Sequence, residues 1–404
     1  MNSRILVFTD NYPFGKSEPF FEGELRFINQ SFEKVTLFPF EEGRSKNIRE
    51  IPGKSGLVKP AFSEVKKKKA LILKGVFNSS IILGLLKEGI CSGAWKSATK
   101  FRIWATHLLL VRSLLFEIKR RDLIPFFNSF DILYFYWGVG WSQILPFLPN
   151  DIRAKIVVRF HGSDLYEYTN NGYIPWRYEQ LIRIDKAVAI SETGKKYIEN
   201  QYPFLMDKIL VSRIGTNDYG LNKYFKSDTL RIVSCSNLVP VKRVGLIVKT
   251  LASLKIPVSW VHFGDGHEMT DIKKLVLKLP ENIKADLKGP VKHEDLMIYY
   301  RNTPVDLFLN TSSSEGVPVS VMEAMSFGIP VIATNVGGTS EIVSDKNGLL
   351  IEADFSPEYL ATRIEALISG DDLFNLRSAS RKEWEKKSKA ENVYPAFINQ
   401  LLAL

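Results

Sequence analysis

The sequence is poor in cysteine, has no apolar run that stays unbroken over a membrane's width, and lacks the commonest nucleotide-binding signatures. Each absence removes a class of protein. Cys91 and Cys235 are the only cysteines among 404 residues. They lie far apart, so neither a disulfide framework nor a CxxC metal knuckle is available, and a reducing cytoplasm is expected. The stretch from Ile132 to Asn150 carries no charge. Gly138, Gly140, Ser142, Gln143 and Pro146 nevertheless break it into an aromatic strand, a glycine turn and a short helix start, which excludes a membrane span. The amino terminus has one basic residue before a short apolar run and no small-residue cleavage site, so it reads as a first strand and not as a secretory signal. Neither GxGxxG nor GxxxxGK[ST] occurs. That leaves little support for a dinucleotide dehydrogenase or a P-loop phosphotransferase.

What is present is the composition of a soluble globular protein, 45% apolar and 24% charged, with length enough for two or three domains. The formal charge of +10 is concentrated in one segment. Residues 61–121 hold 13 Lys and Arg against 3 acids, so the rest of the chain is neutral. A basic segment interleaved with apolar residues suits an anionic membrane surface, nucleic acid or an ordinary helix face. Within it Phe101, Trp104, Leu108, Val111, Leu115 and Ile118 form one stripe at helical spacing, read as core packing. The lysine run Lys66 to Lys69 is the part that a solvated face explains least.

Strand and helix patterns alternate along almost the whole length, which predicts parallel sheets covered by helices. Six apolar runs, beginning with RILVFT and ending with KILVSRI, alternate with helical patterns in the first half. After a polar stretch the same grammar restarts with LRIVSCS, VSWVHFG, ADLKG, VDLFLNT, PVIAT and GLLIE. The fold expected is α/β, with two Rossmann-like doubly wound domains at 1–218 and 230–384 joined by a linker at 219–229. Ligands of such sheets bind on strand-to-helix loops at the carboxyl ends of the strands.

The segment Val305 to Val343, VDLFLNTSSSEGVPVSVMEAMSFGIPVIATNVGGTSEIV, carries the most chemistry. A buried strand delivers a small-residue loop with Glu315 and Gly316, and Pro318 suits the first position of the helix that follows. The amides from Val317 through Val319 and Ser320 to Val321 then form a positive terminus able to hold a phosphate. Glu323 lies about 7 Å further along the helix, so two carboxylates flank one anion site.

Glu315 and Glu323, seven residues apart and followed by AMSFGIPVIATNVGG, resemble the EX7E signature of glycosyltransferase family four, retaining enzymes of GT-B fold. The resemblance covers most of the chain and is closer in the second domain. It implies that Glu315 lies against a donor sugar and that Glu323 bonds the nucleotide ribose. SCSNLVPVKRVGLIVKTL is similar to the family loop that neutralises the donor diphosphate. Lys242 takes its lysine position, Asn237 stands where an arginine is usual, and Arg243 is the candidate to replace that cation. A leaving nucleoside diphosphate needs a fixed cation, and no metal-binding constellation is visible, so no metal and no cofactor are expected. HFGDG resembles a glycine turn near the nucleotide (Gly264, Asp265 and Gly266). GPVKHEDL resembles a loop that packs on the base, with Pro290 and Val291. VVRFHGSDLYEY resembles the family's HGxD-like turn, which implies His161 against the donor sugar and Asp164 on the acceptor side, and DNYPFGKSEPFFEGEL resembles the N-terminal loop of polysaccharide-building members, which implies Gly15 near the phosphates and Glu18 near the acceptor. The resemblance further implies that the carboxyl-terminal helix, 385–404, crosses back to the first domain.

The function expected is retaining transfer of a hexose-type sugar from a UDP- or GDP-sugar to a lipid-linked or polysaccharide acceptor, in exopolysaccharide, capsule or O-antigen synthesis. The enzyme would be cytoplasmic and peripheral on the inner face of the membrane through 61–121, with no nucleic-acid partner. A nucleotide-sugar epimerase of the same fold and a degenerate binding subunit are the alternatives.

Overall fold

The computed structural model describes residues 3–15, 18–42, 48–51, 53, 55–61, 86–370 and 373–404. Lys66 to Lys69, and with them part of the basic segment, lie outside the described residues. The chain divides into two compact units, Met1–Ser212 together with Tyr394–Leu404, and Arg213–Val393.

The first unit is built on a parallel sheet of seven strands, β1 (Arg4–Thr9), β2 (Lys34–Pro39), β3 (Gly56–Leu57), β4 (Ile132–Phe135), β5 (Lys155–Phe160), β6 (Lys186–Ala189) and β7 (Ile209–Val211). Their spatial order is β3-β2-β1-β4-β5-β6-β7, so the strand order reverses between β1 and β4. Their alternating and continuous apolar runs are buried on the sheet, with Leu6, Phe8, Leu133, Phe135, Val158 and Ala187 in the main core. Phe8 stacks on Phe135 across the reversal, ring centroids 4.2 Å apart. The uncharged stretch 132–150 becomes β4, a turn with Gly140 at φ 70° and a 3₁₀ segment Gly140–Phe147, because glycine and Pro146 interrupt any longer helix.

The second unit repeats the plan with β8 (Leu230–Cys235), β9 (Val258–Phe263), β10 (Ile283–Gly289), β11 (Leu307–Asn310), β12 (Val331–Thr334) and β13 (Gly348–Ile351). Their order is β10-β9-β8-β11-β12-β13, all pairs parallel, with the reversal between β8 and β11. Both sheets are the doubly wound type the alternation predicts, and the helices between strands follow the patterns read from sequence.

The boundaries differ from the expected ones. Residues 219–229, polar enough to read as a linker, lie within the second unit. Asn222 is buried there, its amide nitrogen donating to the carbonyls of Tyr300 and Thr303, and the Arg377 guanidinium sits 4.4 Å from the Tyr224 ring. These partners are 78 and more residues away in sequence, so the stretch's composition could not reveal them. Of the segment 385–404, the residues up to Val393 belong to the second unit and Tyr394–Leu404 to the first. Tyr394 and Phe397 are buried there against Phe27 and Tyr134.

Candidate functional site

In the second unit the loops that follow β8 and β11 flank the reversal of strand order, and they carry Lys242 and Glu315. Lys242 Nζ donates to Glu315 Oε1 at 2.6 Å, with the two side chains about 25% and 10% exposed. The Asn310 amide, at the carboxyl end of β11, donates to the same oxygen at 3.3 Å, and its carbonyl oxygen accepts from Ser312 N–H. A buried apolar strand thus hands over to a loop whose first polar residue already orients the carboxylate.

The loop is braced from behind. Gly337, at φ 55°, packs so closely that a Cβ would lie 1.7 Å from the Glu315 carbonyl oxygen, and Gly338 N–H donates to the Gly316 carbonyl at 2.6 Å. Gly337 of NVGG is therefore a spacer that lets one backbone lie against another. The helix runs Val319–Ser326, with Pro318 as the cap residue before it, so it starts one residue later than the sequence reading. Pro318 O accepts from the amides of Val321 and Met322, which takes Val321 out of the expected anion-binding set. Val319 and Ser320 are left at the start of the helix with Gly316 and Val317 leading into it, and their N–H dipoles point the way an anion prefers.

Glu323 is held by a partner that sequence reasoning passed over. His293 Nε2 lies 2.7 Å from Glu323 Oε1, with the histidine about 46% and the carboxylate about 13% exposed. His293 opens the helix His293–Asn302, directly after Pro290 and exposed Val291 in the loop read as base-facing. Its one sequence signal was its place in that loop. Asn310 had a comparable signal, as the polar residue ending an apolar strand.

Arg243 does not stand beside Lys242 as a second presented cation. Its backbone is left-handed at φ 49°, and its guanidinium donates to the carbonyls of Thr311 (2.7 Å), Ala353 (2.6 Å) and Ser312 (3.4 Å), while burial shifts its pKa down. It ties three loops together. Asn237 is exposed and lies on a loop laced to its neighbours by backbone bonds. Ser236 N–H donates to Phe263 O, Leu238 N–H to Asp265 O, and Gly264 N–H to Gly289 O. Gly264, at φ 138°, leaves no room for a Cβ, which would fall 1.9 Å from Ser236 O. Asp265 accepts from Gly266 N–H at 2.7 Å. The loops after β8, β9, β10 and β11 form one connected rim. His262, beneath it, is buried against Ser234, and burial lowers its pKa to about 4, so it stays neutral.

In the first unit, the carboxyl ends of β1, β4 and β5 surround a cavity of about 340 Å³ whose walls include Phe40, Trp137, Trp141, Asp10, Ser163 and Asp164. His161 is buried beside it, its ring centroid 4.2 Å from Trp137 and 5.0 Å from Tyr136. The Asp164 carboxylate accepts from the backbone N–H groups of His161 and Gly138, so it fixes two strand-to-helix turns at once. Glu18 is placed otherwise than expected. It is buried, and its carboxylate accepts from the amides of Asp10 (3.0 Å), Asn11 (2.8 Å) and Tyr12 (2.7 Å) and from the Trp137 indole (2.7 Å). It organises the loop after β1 and faces the interior. Gly15, at φ 68°, ends that loop.

Residues 222–390 match the family described as Glycosyl transferases group 1. That match lies within the second unit. Among curated relatives, an uncharacterised glycosyltransferase of Methanocaldococcus jannaschii is 28% identical over 267 residues, 64% of this chain and 72% of that protein. The UDP-N-acetylglucosamine–peptide N-acetylglucosaminyltransferase GtfA subunit of Streptococcus parasanguinis is 27% identical over 55% of this chain, which spans about half (46%) of that protein's length. Among solved structures, Anabaena HepE in complex with UDP aligns over 100% of both chains with a TM-score of 0.67 at 15% identity. The lipopolysaccharide outer core galactosyltransferase WaaB aligns over 99% of both, with a TM-score of 0.68 at 15% identity. The fold is GT-B. The matched residues contain every member of the rim described above, from Ser236 to Gly338. The first-unit cavity lies outside the matched residues.

Proposed function

We propose that the chain is a retaining glycosyltransferase that moves a hexose-type sugar from a nucleoside diphosphate sugar, UDP- or GDP-linked, to a saccharide or lipid-linked saccharide acceptor in bacterial surface polysaccharide assembly. The observation that carries this reading is the Lys242–Glu315 pair at the reversal of strand order in the second sheet, beside the start of the helix Val319–Ser326. Departure of a nucleoside diphosphate builds charge on its phosphate oxygens. A fixed ammonium and oriented amides stabilise that charge without reorganising as the bond breaks. Glu315 holds Lys242 in place and positions the sugar, and Glu323, oriented by His293, accepts from the ribose hydroxyls. Retention follows if the acceptor attacks the face the diphosphate leaves, with the leaving phosphate oxygen taking the acceptor proton. The GT-B fold, the family match and structural neighbours that include one bound to UDP and one named for lipopolysaccharide synthesis support the reading.

The test is a donor screen. UDP-, GDP-, ADP- and TDP-sugars are compared by thermal shift, and those that bind are followed for nucleoside diphosphate release with and without saccharide acceptors, in the presence and absence of EDTA. Release that survives EDTA and falls with Lys242→Met supports the reading. Nucleotide-sugar binding with no release for any acceptor identifies a binding subunit, and C2 inversion of the sugar identifies an epimerase.

A further inference from the structure

The first unit presents an exposed apolar and basic surface outside the residues read as the donor site. Residues 86–91 are helical, Ala94–Lys96 forms a 3₁₀ turn, and the helix Ala98–Arg120 follows. They rest on a small core of their own, made of Ala94, Trp104, Val111, Tyr173 and Trp176. Tyr173 also donates to buried Glu88 at 2.7 Å. The segment is therefore anchored at two levels, and what projects from it is held in place.

Three large apolar side chains project. Ile90 is 62% exposed, Trp95 47% and Phe101 48%, with the Trp95 and Phe101 rings each 5.9 Å from Trp104. The same segment carries Lys87, Lys96, Lys100 and Arg102, none of them in an ion pair among the described residues. Glu88, the one acid within 86–105, is buried, and the exposed acid that reaches it electrostatically is Glu179 on a neighbouring helix. Exposed apolar area of this kind is unfavourable in water unless something covers it. An indole and a phenyl ring beside unopposed cations match the interfacial layer of an anionic bilayer, where amphipathic rings sit at headgroup depth and ammonium and guanidinium groups meet phosphate. No described helix is long and apolar enough to cross a membrane, so the contact would be peripheral.

We propose that Ile90, Trp95 and Phe101, together with Lys96, Lys100 and Arg102 of the same segment, dock the first unit on an anionic lipid bilayer. The inference is independent of the donor-site reading. It is tested on the full chain by co-sedimentation with phosphatidylglycerol/phosphatidylcholine vesicles, at low and raised salt, against pure phosphatidylcholine vesicles. Neutralising one cation is expected to lower partition about fivefold, from about 1 kcal/mol per basic residue near the surface. Lys96→Glu with Arg102→Glu should lower it at least about 25-fold by the same arithmetic, and raised salt should weaken wild-type binding. Brominated lipids should quench indole fluorescence in the wild type and less in Trp95→Ser/Phe101→Ser. Unchanged partition of the charge-reversal variant, or equal wild-type binding to neutral vesicles, overturns the proposal. Dimerisation that is lost in Trp95→Ser/Phe101→Ser, without vesicle binding, overturns it in favour of a second copy of this chain. Hydrolysis of a soluble nucleotide sugar should be the same in all variants, since none touches Lys242 or Glu315, so loss of docking is distinguishable from failure of the transferase reading.

Discussion

Lys242 and Glu315 share a bond of 2.6 Å, and that bond makes their two substitutions unequal. Lys242→Met removes the cation that faces developing phosphate charge. It is expected to lower turnover by about 10²- to 10³-fold, the usual effect of deleting one preorganised electrostatic group, as measured by nucleoside diphosphate release under saturating donor. Glu315→Gln keeps the side-chain shape but loosens Lys242, so it should lower turnover more than donor binding. Glu323→Ala should do the reverse, weakening nucleotide binding in calorimetry about tenfold through loss of a charged hydrogen bond. His293→Ala is expected to weaken binding in the same direction by less, because it removes only the orientation of that carboxylate. Equal and negligible effects of Glu315→Gln and Glu323→Ala would remove both assignments.

Loops that look alike in composition are held by different means. The Glu315 loop depends on Gly337, where an added methyl would meet the Glu315 carbonyl at 1.7 Å. Gly337→Ala is expected to destabilise by about 1–3 kcal/mol, as overpacking does, and to reduce kcat/KM at least as strongly as Glu315→Gln, because the carboxylate moves with its backbone. A thermal melt alongside the kinetics checks both halves of that expectation. The loop after β1 depends on a carboxylate. Glu18 receives three backbone amides and one indole. Glu18→Gln turns one acceptor into an NH₂ facing donors and should cost about 2 kcal/mol, within the range for a buried donor left unsatisfied, read as a lowered urea midpoint at unchanged slope.

Across the molecule, stability at low pH turns on carboxylates whose partners come from distant parts of the chain. The Asp218 carboxylate is bonded by the Arg381 guanidinium, by Gly220 N–H and by Lys389. The Arg381 bond is the largest cause holding its pKa well below the usual carboxylate range. A carboxyl depressed in the folded state contributes its full stability above its unfolded pKa and loses it as pH falls toward the folded value. Asp218→Asn should therefore lower the melting temperature at pH 7, by an amount equivalent to about 1 kcal/mol after allowance for its partial exposure. The gap to wild type should stay constant down to about pH 5, then close as the pH falls through 4 and below. A gap that widened on acidification would contradict the assignment. In the first unit Arg159 is fully buried, and burial alone would favour its neutral form. The Glu24 carboxylate 3.1 Å away is the largest influence in the other direction and Arg159's pKa is raised overall, while burial raises that of Glu24 itself.

The strands were legible because parallel sheets covered on both faces demand near-continuous apolar runs. All the strands read from the apolar runs are present, and the two-residue β3 is too short to leave a pattern. The place of Glu315, Lys242 and the helix from Val319 on strand-to-helix loops was legible for the same reason, since a loop that follows a buried strand at a topological reversal has only one end of the sheet to occupy. Pairing was not legible. Nothing in local sequence distinguishes Arg243, engaged by three carbonyls, from Lys242 one residue before it, engaged by a carboxylate. The same holds for Glu18, which looks like a helix-start glutamate and is the anchor of a turn, and for His293, whose partner is 30 residues away. Apolar periodicity is a property of neighbouring residues and sets elements and their faces. Hydrogen-bond partners are set by which loops the folded sheet brings within about 3 Å, and only the tertiary structure decides that.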